Sequence, residues 1–154
     1  MIEPLMDTKA VDELLEKLDG SGSNAEFAAA ARLRELGQEL PRLLLQKFRS
    51  AKTWQARTSY VYHALKYARE SEDAVTLGRE ALKDRSKAVR YRGAMLLACS
   101  LRKDLLPELR NALESWRGRP SEADVRAAID AIENQNQNYF IDRQHTGRMV
   151  LRIN

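Results

Sequence analysis

Few residues in this chain could do chemistry. It has two histidines, His63 and His145, and one cysteine, Cys99. Cys99 ends the run Met95-Leu96-Leu97-Ala98-Cys99 with no histidine or acid beside it, so it reads as a small buried hydrophobe and not as a thiolate nucleophile. His63 shares a helical face with Ala56 and Tyr60, the setting of a core or half-buried histidine. Asp142 and His145 stand three apart, but a metal site would need further ligands and the chain has only two histidines. The ordinary reading of Asp142 is a turn held by its side chain. The run Asp142-Arg143-Gln144-His145-Thr146-Gly147 is still rich for a terminus, so Asp142, Arg143 and His145 are candidate contacts to a partner. No Gly-rich phosphate loop, Ser/His/Asp order or paired metal motif is present. A non-enzymatic protein is expected, without catalytic residues, metal or cofactor.

A second constellation is basic and aromatic. Tyr62, Lys66 and Arg69 follow an i, i+4, i+7 spacing, which places them on one helix face, away from Ala56, Tyr60 and His63. Aromatic and basic groups together are typical anchors for a protein partner. The plainer reading is a solvated basic stripe with its stems lying on apolar surface. Trp54 and Trp116 fall near helix starts and ends, along no obvious common groove.

These residues need elements to position them. The 154 residues suit one domain, 1–154, with a real core. Hydrophobic residues make up 44% and charged residues 31%, a soluble globular composition. No apolar run is long enough to span a membrane. The opening Met1-Ile2-Glu3-Pro4-Leu5-Met6-Asp7 lacks the basic and apolar regions of a secretory leader. One cysteine permits no internal disulfide, which fits a reducing compartment such as a cytoplasm. Net charge is +4 but unevenly spread. Residues 41–70 carry 7 basic groups and 1 acidic, whereas residues 1–40 carry 4 and 9. A basic middle between acidic ends suits an acidic partner surface or a nucleic-acid backbone.

Apolar spacing predicts helices in pairs beginning near residues 10, 38, 72 and 104. Asn24 is read as an N-cap, and Gly37 ends the helix that follows it. Pro41 and Pro107 fit first turns. Thr53 caps a long helix to about residue 70, Ser71 caps the next pair, and Ser121 opens a capping-box-like Ser-Glu-Ala-Asp run. Beyond residue 135 the pattern breaks. Met149, Leu151 and Ile153 alternate with Arg148, Val150 and Arg152, a strand period. Tyr139 to Ile141 and Arg148 to Ile153 could form a hairpin across Gly147.

Leu106-Pro107-Glu108-Leu109 with Val125-Arg126 and Ala128, Asp84 with Val89-Arg90, and Leu40-Pro41-Arg42-Leu43 with Ala56-Arg57 recur at a period of about 31–36 residues. The pattern resembles HEAT repeats, relatives of armadillo repeats, over roughly residues 10–135. The resemblance implies an all-α fold: a right-handed α–α superhelix of about four helix pairs (10–37, 38–70, 71–102 and 104–135) with a non-repeat tail, 136–154, as hairpin or extended chain. It implies that Asp84, Arg57, Arg90 and Arg126 form a ladder between units. The second helix of each pair would line the concave side. Aligning Ala56, Val89 and Val125, offsets of 33 and 36, sets Tyr62 level with Met95, Thr58 with Tyr91, and Arg69 with Arg102. Tyr62, Lys66, Arg69, Tyr91, Met95 and Arg102 are therefore the candidate partner-binding residues. Small bacterial chains of this kind resemble immunity proteins that neutralise a toxin by masking its active surface. A protein partner, such as a toxin with an acidic surface, is the leading expectation. HEAT-like DNA glycosylases are the alternative, although no acid stands out in the basic belt.

Overall fold

A computed structural model describes residues 6–153. The opening segment that bears on a secretory leader lies largely outside them. The fold is all-α. In order, the helices are α1 (Thr8–Glu16), α2 (Asn24–Leu33), α3 (Leu40–Ser50), α4 (Trp54–Ala64), α5 (Glu72–Leu82), α6 (Lys87–Ser100), α7 (Leu106–Ser115) and α8 (Glu122–Glu133). No strand occurs among the described residues, and none of their helices is long and apolar enough to cross a membrane.

Local chemistry fixes the helix ends. Asp7, Ser23, Thr53 and Ser71 each accept a bond from the amide three residues on, which satisfies a donor the first turn leaves free. The cap of α2 is thus Ser23, and Asn24 is already helical. Pro41 and Pro107 sit in first turns, where their missing N–H costs nothing. Gly37, at φ 58°, breaks the 3₁₀ segment Arg34–Glu39 before α3 begins. The fourth helix stops at Ala64 and tightens into a 3₁₀ turn, Leu65–Tyr67, instead of running on to residue 70.

Consecutive helices pair, and the pairs stack. Helix α3 packs on α4, α5 on α6 and α7 on α8, while α3 also meets α5, α4 meets α6, and α6 meets α8. One layer therefore holds α4, α6 and α8, with α3 and α5 in the other. The core between them is mainly Leu, Ala and Val, including Leu44, Val61, Leu77, Leu96, Val125 and Ile132. Gly93 lets α6 lie directly on the end of α5, because a Cβ there would fall 2.7 Å from the Leu82 nitrogen.

A buried polar relay links the pairs. The Arg57 guanidinium donates to both carboxylate oxygens of Asp84, at 2.8 and 3.3 Å, and to the Ala51 carbonyl at 3.3 Å. Asp84 also accepts from the Ser86 amide at 2.9 Å. The Asp84 carbonyl accepts from Arg90 at 2.9 Å, and Arg90 Nε donates to the Ser121 hydroxyl at 2.7 Å. Ser121 therefore gives its oxygen to Arg90 instead of capping α8. Trp116 is sandwiched between Arg90 and Arg119, each 4.4 Å from its ring centre. Arg126 takes no part in this ladder: it is exposed and reaches only Glu122, at 3.4 Å, one turn back on its own helix.

The tail differs from a hairpin. Gln137–Phe140 is a 3₁₀ turn, and Phe140 is fully buried against Tyr91. Residues 148–153 form neither helix nor strand; the Leu151 amide donates to Asn138 Oδ1 at 2.8 Å. Inward burial of Phe140 takes the residue that a hairpin would have needed.

The relay makes a stability prediction. Arg57→Ala would leave the Asp84 carboxylate buried without its counter-charge, and should cost about 3–5 kcal/mol in urea unfolding. A cost below about 1 kcal/mol would mean that the pair is incidental to the stack.

Candidate functional site

The sequence-predicted residues divide into three groups. Met95 is buried, at 5% exposure, and Asp142 is buried at 1%. Neither presents its side chain to a partner. Asp142 spends its oxygens on its own turn, accepting from the Thr146 amide at 2.9 Å, the Thr146 hydroxyl at 2.8 Å and the Gly147 amide at 2.8 Å. Led by the Thr146 amide, these bonds hold its carboxyl below the usual aspartate range. Tyr91 lies half-buried against Phe140, with ring centres 5.4 Å apart.

A second group is exposed or half-exposed but committed elsewhere. Arg69 donates to the Cys99 carbonyl at 3.4 Å and to Gln137 at 2.9 Å. Arg102 lies between Glu72 and Asp104, 2.7 Å from each. Arg143 reaches Asp124 at 2.9 Å and the Phe140 carbonyl at 2.9 Å. His145 contacts Asp130 at 2.6 Å and stacks on Tyr139 at 3.7 Å. Cys99 is enclosed, and burial pushes its thiol up to about 12, so it is no nucleophile.

Tyr62 and Lys66 form the third group. The 3₁₀ turn after Ala64 removes Lys66 from the helical stripe; it is exposed, with its ammonium 5.9 Å from the Tyr67 ring. The Tyr62 ring meets Arg92 of α6, whose guanidinium lies over it, 4.7 Å from the centre. Met95, three residues further along α6, turns into the core.

Around Tyr62 the structure gathers residues from three helices that sequence reasoning did not join. Trp54, Thr58 and Tyr62 recur at i, i+4 and i+8 along α4. Phe27 comes from α2 and Arg92 from α6. Phe27, Thr58, Tyr62 and Arg92 line a hollow of about 250 Å³ together with Gly20, Gly22, Glu26 and Ser59. Phe27 is 42% exposed and Trp54 48%, although both are large and apolar. Gly20, at φ 80°, allows the α1–α2 turn to touch the Gln55 backbone, where any Cβ would clash. That contact sets α2, and so Phe27, beside the start of α4. The i+4 recurrence of Trp54 to Tyr62 was the available signal. Phe27 had none, since it sits in an alanine-rich run that reads as packing surface.

The floor of the hollow is a buried charge. Glu26 accepts from the Gly22 amide at 3.0 Å, the Ser59 hydroxyl at 2.9 Å and His63 Nε2 at 2.9 Å. Burial opposes its ionisation, but these three bonds outweigh burial and keep the carboxyl below the usual glutamate range. Burial also dominates at His63 and lowers its imidazole below the ordinary value, despite the neighbouring carboxylate. The neutral ring therefore donates its Nε2–H to an ionised Glu26. Two aromatic edges enclose His63: Tyr62 at 5.1 Å and Phe27 at 6.1 Å.

Among the described residues no group of three or more His, Cys, Asp or Glu side chains is arranged to hold a metal ion. No family model, curated protein or solved structure matches this chain.

The Glu26–His63 pair makes stability depend on pH in one direction. Both folded values lie below their unfolded ones, so the unfolded chain binds more protons and stability falls on acidification. The His63 share is complete above about pH 6.5 and declines below it; the Glu26 share declines below about pH 4.3. Urea titrations from pH 7.5 to 4.0 should show this slope near pH 6, and His63→Gln should flatten it. An unchanged slope in that variant would remove His63 from the account.

Proposed function

We propose that the chain is a protein-binding scaffold of HEAT-like type, its helix pairs wound as a right-handed α–α superhelix, and that it binds a protein partner to neutralise it, as an immunity protein neutralises a toxin. One observation supports the binding reading above the others. Phe27 stays exposed in the hollow with Tyr62 and Arg92, and Trp54 stays exposed two turns before Tyr62 on α4. Large exposed aromatics cost free energy in water, and Trp, Tyr and Arg are the residue types that anchor protein interfaces. The flanking pairs stiffen that face, so binding would not require it to fold first.

The nucleic-acid reading is weaker on this geometry. A phosphate track needs several uncommitted cations in line. Arg102 already has two carboxylates, and Arg69 is turned onto Cys99 and Gln137. Enzyme chemistry gains no support either, because Glu26, Ser59 and His63 bond to one another with the carboxylate at the centre, which leaves Ser59 without a base.

Affinity capture from the native source tests this reading. The wild-type chain should retain one protein at 1:1 stoichiometry, and the double variant Phe27→Ala, Trp54→Ala should weaken that complex about 100-fold or more while melting normally. The captured protein should arrest growth of a bacterial host when expressed alone, and co-expression should relieve the arrest. Recovery of nucleic acid alone, released by salt, would overturn the binding reading; a harmless protein partner would overturn the neutralising one.

A further inference from the structure

The hollow between α2, α4 and α6 has a chemical preference that its aromatic walls alone do not explain. At about 250 Å³ it is small for a free metabolite and suits one side chain of a docked segment. Arg92 stacks on Tyr62, yet no carboxylate of the described residues lies within ion-pair distance of it, and its N–H groups donate to no acceptor among them. A cation–ring contact engages none of the five guanidinium N–H donors in a hydrogen bond to oxygen. The Thr58 hydroxyl, in the same hollow, likewise has no partner among the described residues. Glu26 lines the same hollow but makes no ion pair with Arg92; its oxygens accept from Gly22, Ser59 and His63 instead.

A larger hollow elsewhere differs in its charges. That space, about 670 Å³ between α7, α8 and the tail, is also lined by cations. Each of them already faces a carboxylate: Arg110 with Glu133 at 3.7 Å, Arg126 with Glu122 at 3.4 Å, Arg143 with Asp124 at 2.9 Å, and His145 with Asp130 at 2.6 Å. The outer layer is similarly neutralised between pairs, by Lys47 with Glu16, Arg49 with Glu80, and Arg79 with Glu108. Arg92 is set apart: it is a half-buried cation over an aromatic ring, and it makes no ion pair and no hydrogen bond among the described residues.

We propose that this hollow receives a single aspartate or glutamate side chain from an acidic, partly apolar segment of the partner protein, with Arg92 binding the carboxylate and Phe27 and Trp54 covering the apolar flank. The proposal rests on the protein-binding reading above and gives its partner a chemistry. A guanidinium donates to a carboxylate through two parallel bonds, and a docked segment covering Phe27 and Trp54 would shield those bonds from water. A phosphodiester backbone would instead need a row of such cations, and the hollow offers one.

The test uses a random seven-residue peptide library displayed on phage. It is selected in parallel against the wild type, Arg92→Glu, Arg92→Gln, and the double variant Phe27→Ala, Trp54→Ala. The wild type should enrich peptides with Asp or Glu next to an aromatic or aliphatic residue. Synthetic copies should bind Arg92→Gln and Arg92→Glu about tenfold or more weakly. Selection on Arg92→Glu should shift to Lys or Arg at the same peptide position. Arg92→Gln removes the charge and leaves a shorter neutral polar side chain, so its loss of binding with an unchanged melt separates binding from folding. Peptides without acidic enrichment, or acidic peptides indifferent to both Arg92 variants, would overturn the proposal. Peptides that depend on Phe27 and Trp54 but not on Arg92 would leave the surface standing and remove the carboxylate. Peptides indifferent to all of these residues would remove the surface as well.

Discussion

The stack depends on how two buried guanidinium groups are paid for. Arg57 and Arg90 each project from the start of a second helix into the seam between pairs, where an unpaired charge would cost several kcal/mol. The turn after α5 resolves both. Asp84 gives its carboxylate to Arg57 and its carbonyl to Arg90, and Ser121 completes the second site. Four groups from three consecutive pairs are thereby fixed within hydrogen-bond distance. Apolar packing alone would tolerate a slide of one helix past another; a bidentate ion pair does not. The relay sets the level of α6 against α4, and that level brings Arg92 to the ring of Tyr62.

Charge follows the same division. Where helices of successive pairs meet on the outside, cations and carboxylates face each other across the seam at sequence separations of 29–31 residues. Such exposed pairs add little to stability one by one, but they leave that surface electrically quiet. The face of α2, α4 and α6 is arranged otherwise. Its carboxylate, Glu26, is enclosed and satisfied from within, whereas Arg92 makes no ion pair or hydrogen bond among the described residues. The same residues that stabilise the junction between the first two pairs therefore leave a directional positive charge beside exposed aromatics.

Much of the scaffold was legible in the sequence, since it rests on local rules. Thr53 and Ser71 as caps, Pro41 and Pro107 in first turns, the turn at Asp84 and the buried Cys99 all follow from residue type and apolar period. The Arg57–Asp84–Arg90 seam was implied by the resemblance to HEAT repeats, which also implied a place in it for Arg126 that the structure does not give. What was not legible depended on neighbours distant in sequence. Ser121 reads as a cap until Arg90 competes for its hydroxyl. Tyr139 to Ile141 reads as a strand until Phe140 finds the core beside Tyr91. Met95 and Arg92 are both plausible surface positions on α6; only the level set by the relay turns one inward and the other onto Tyr62. Phe27 gives no sign in an alanine-rich helix, because its exposure is decided by where Gly20 lets the first turn sit.

The central claim is that the face built by α2, α4 and α6 is where this chain meets its partner. Amide hydrogen exchange tests it most directly, comparing the chain alone with the chain saturated by the captured protein. The account predicts added protection over residues 24–33, 54–64 and 87–95, with little change in α7. Protection confined to residues 136–153, or to the outer layer of α3 and α5, would contradict it.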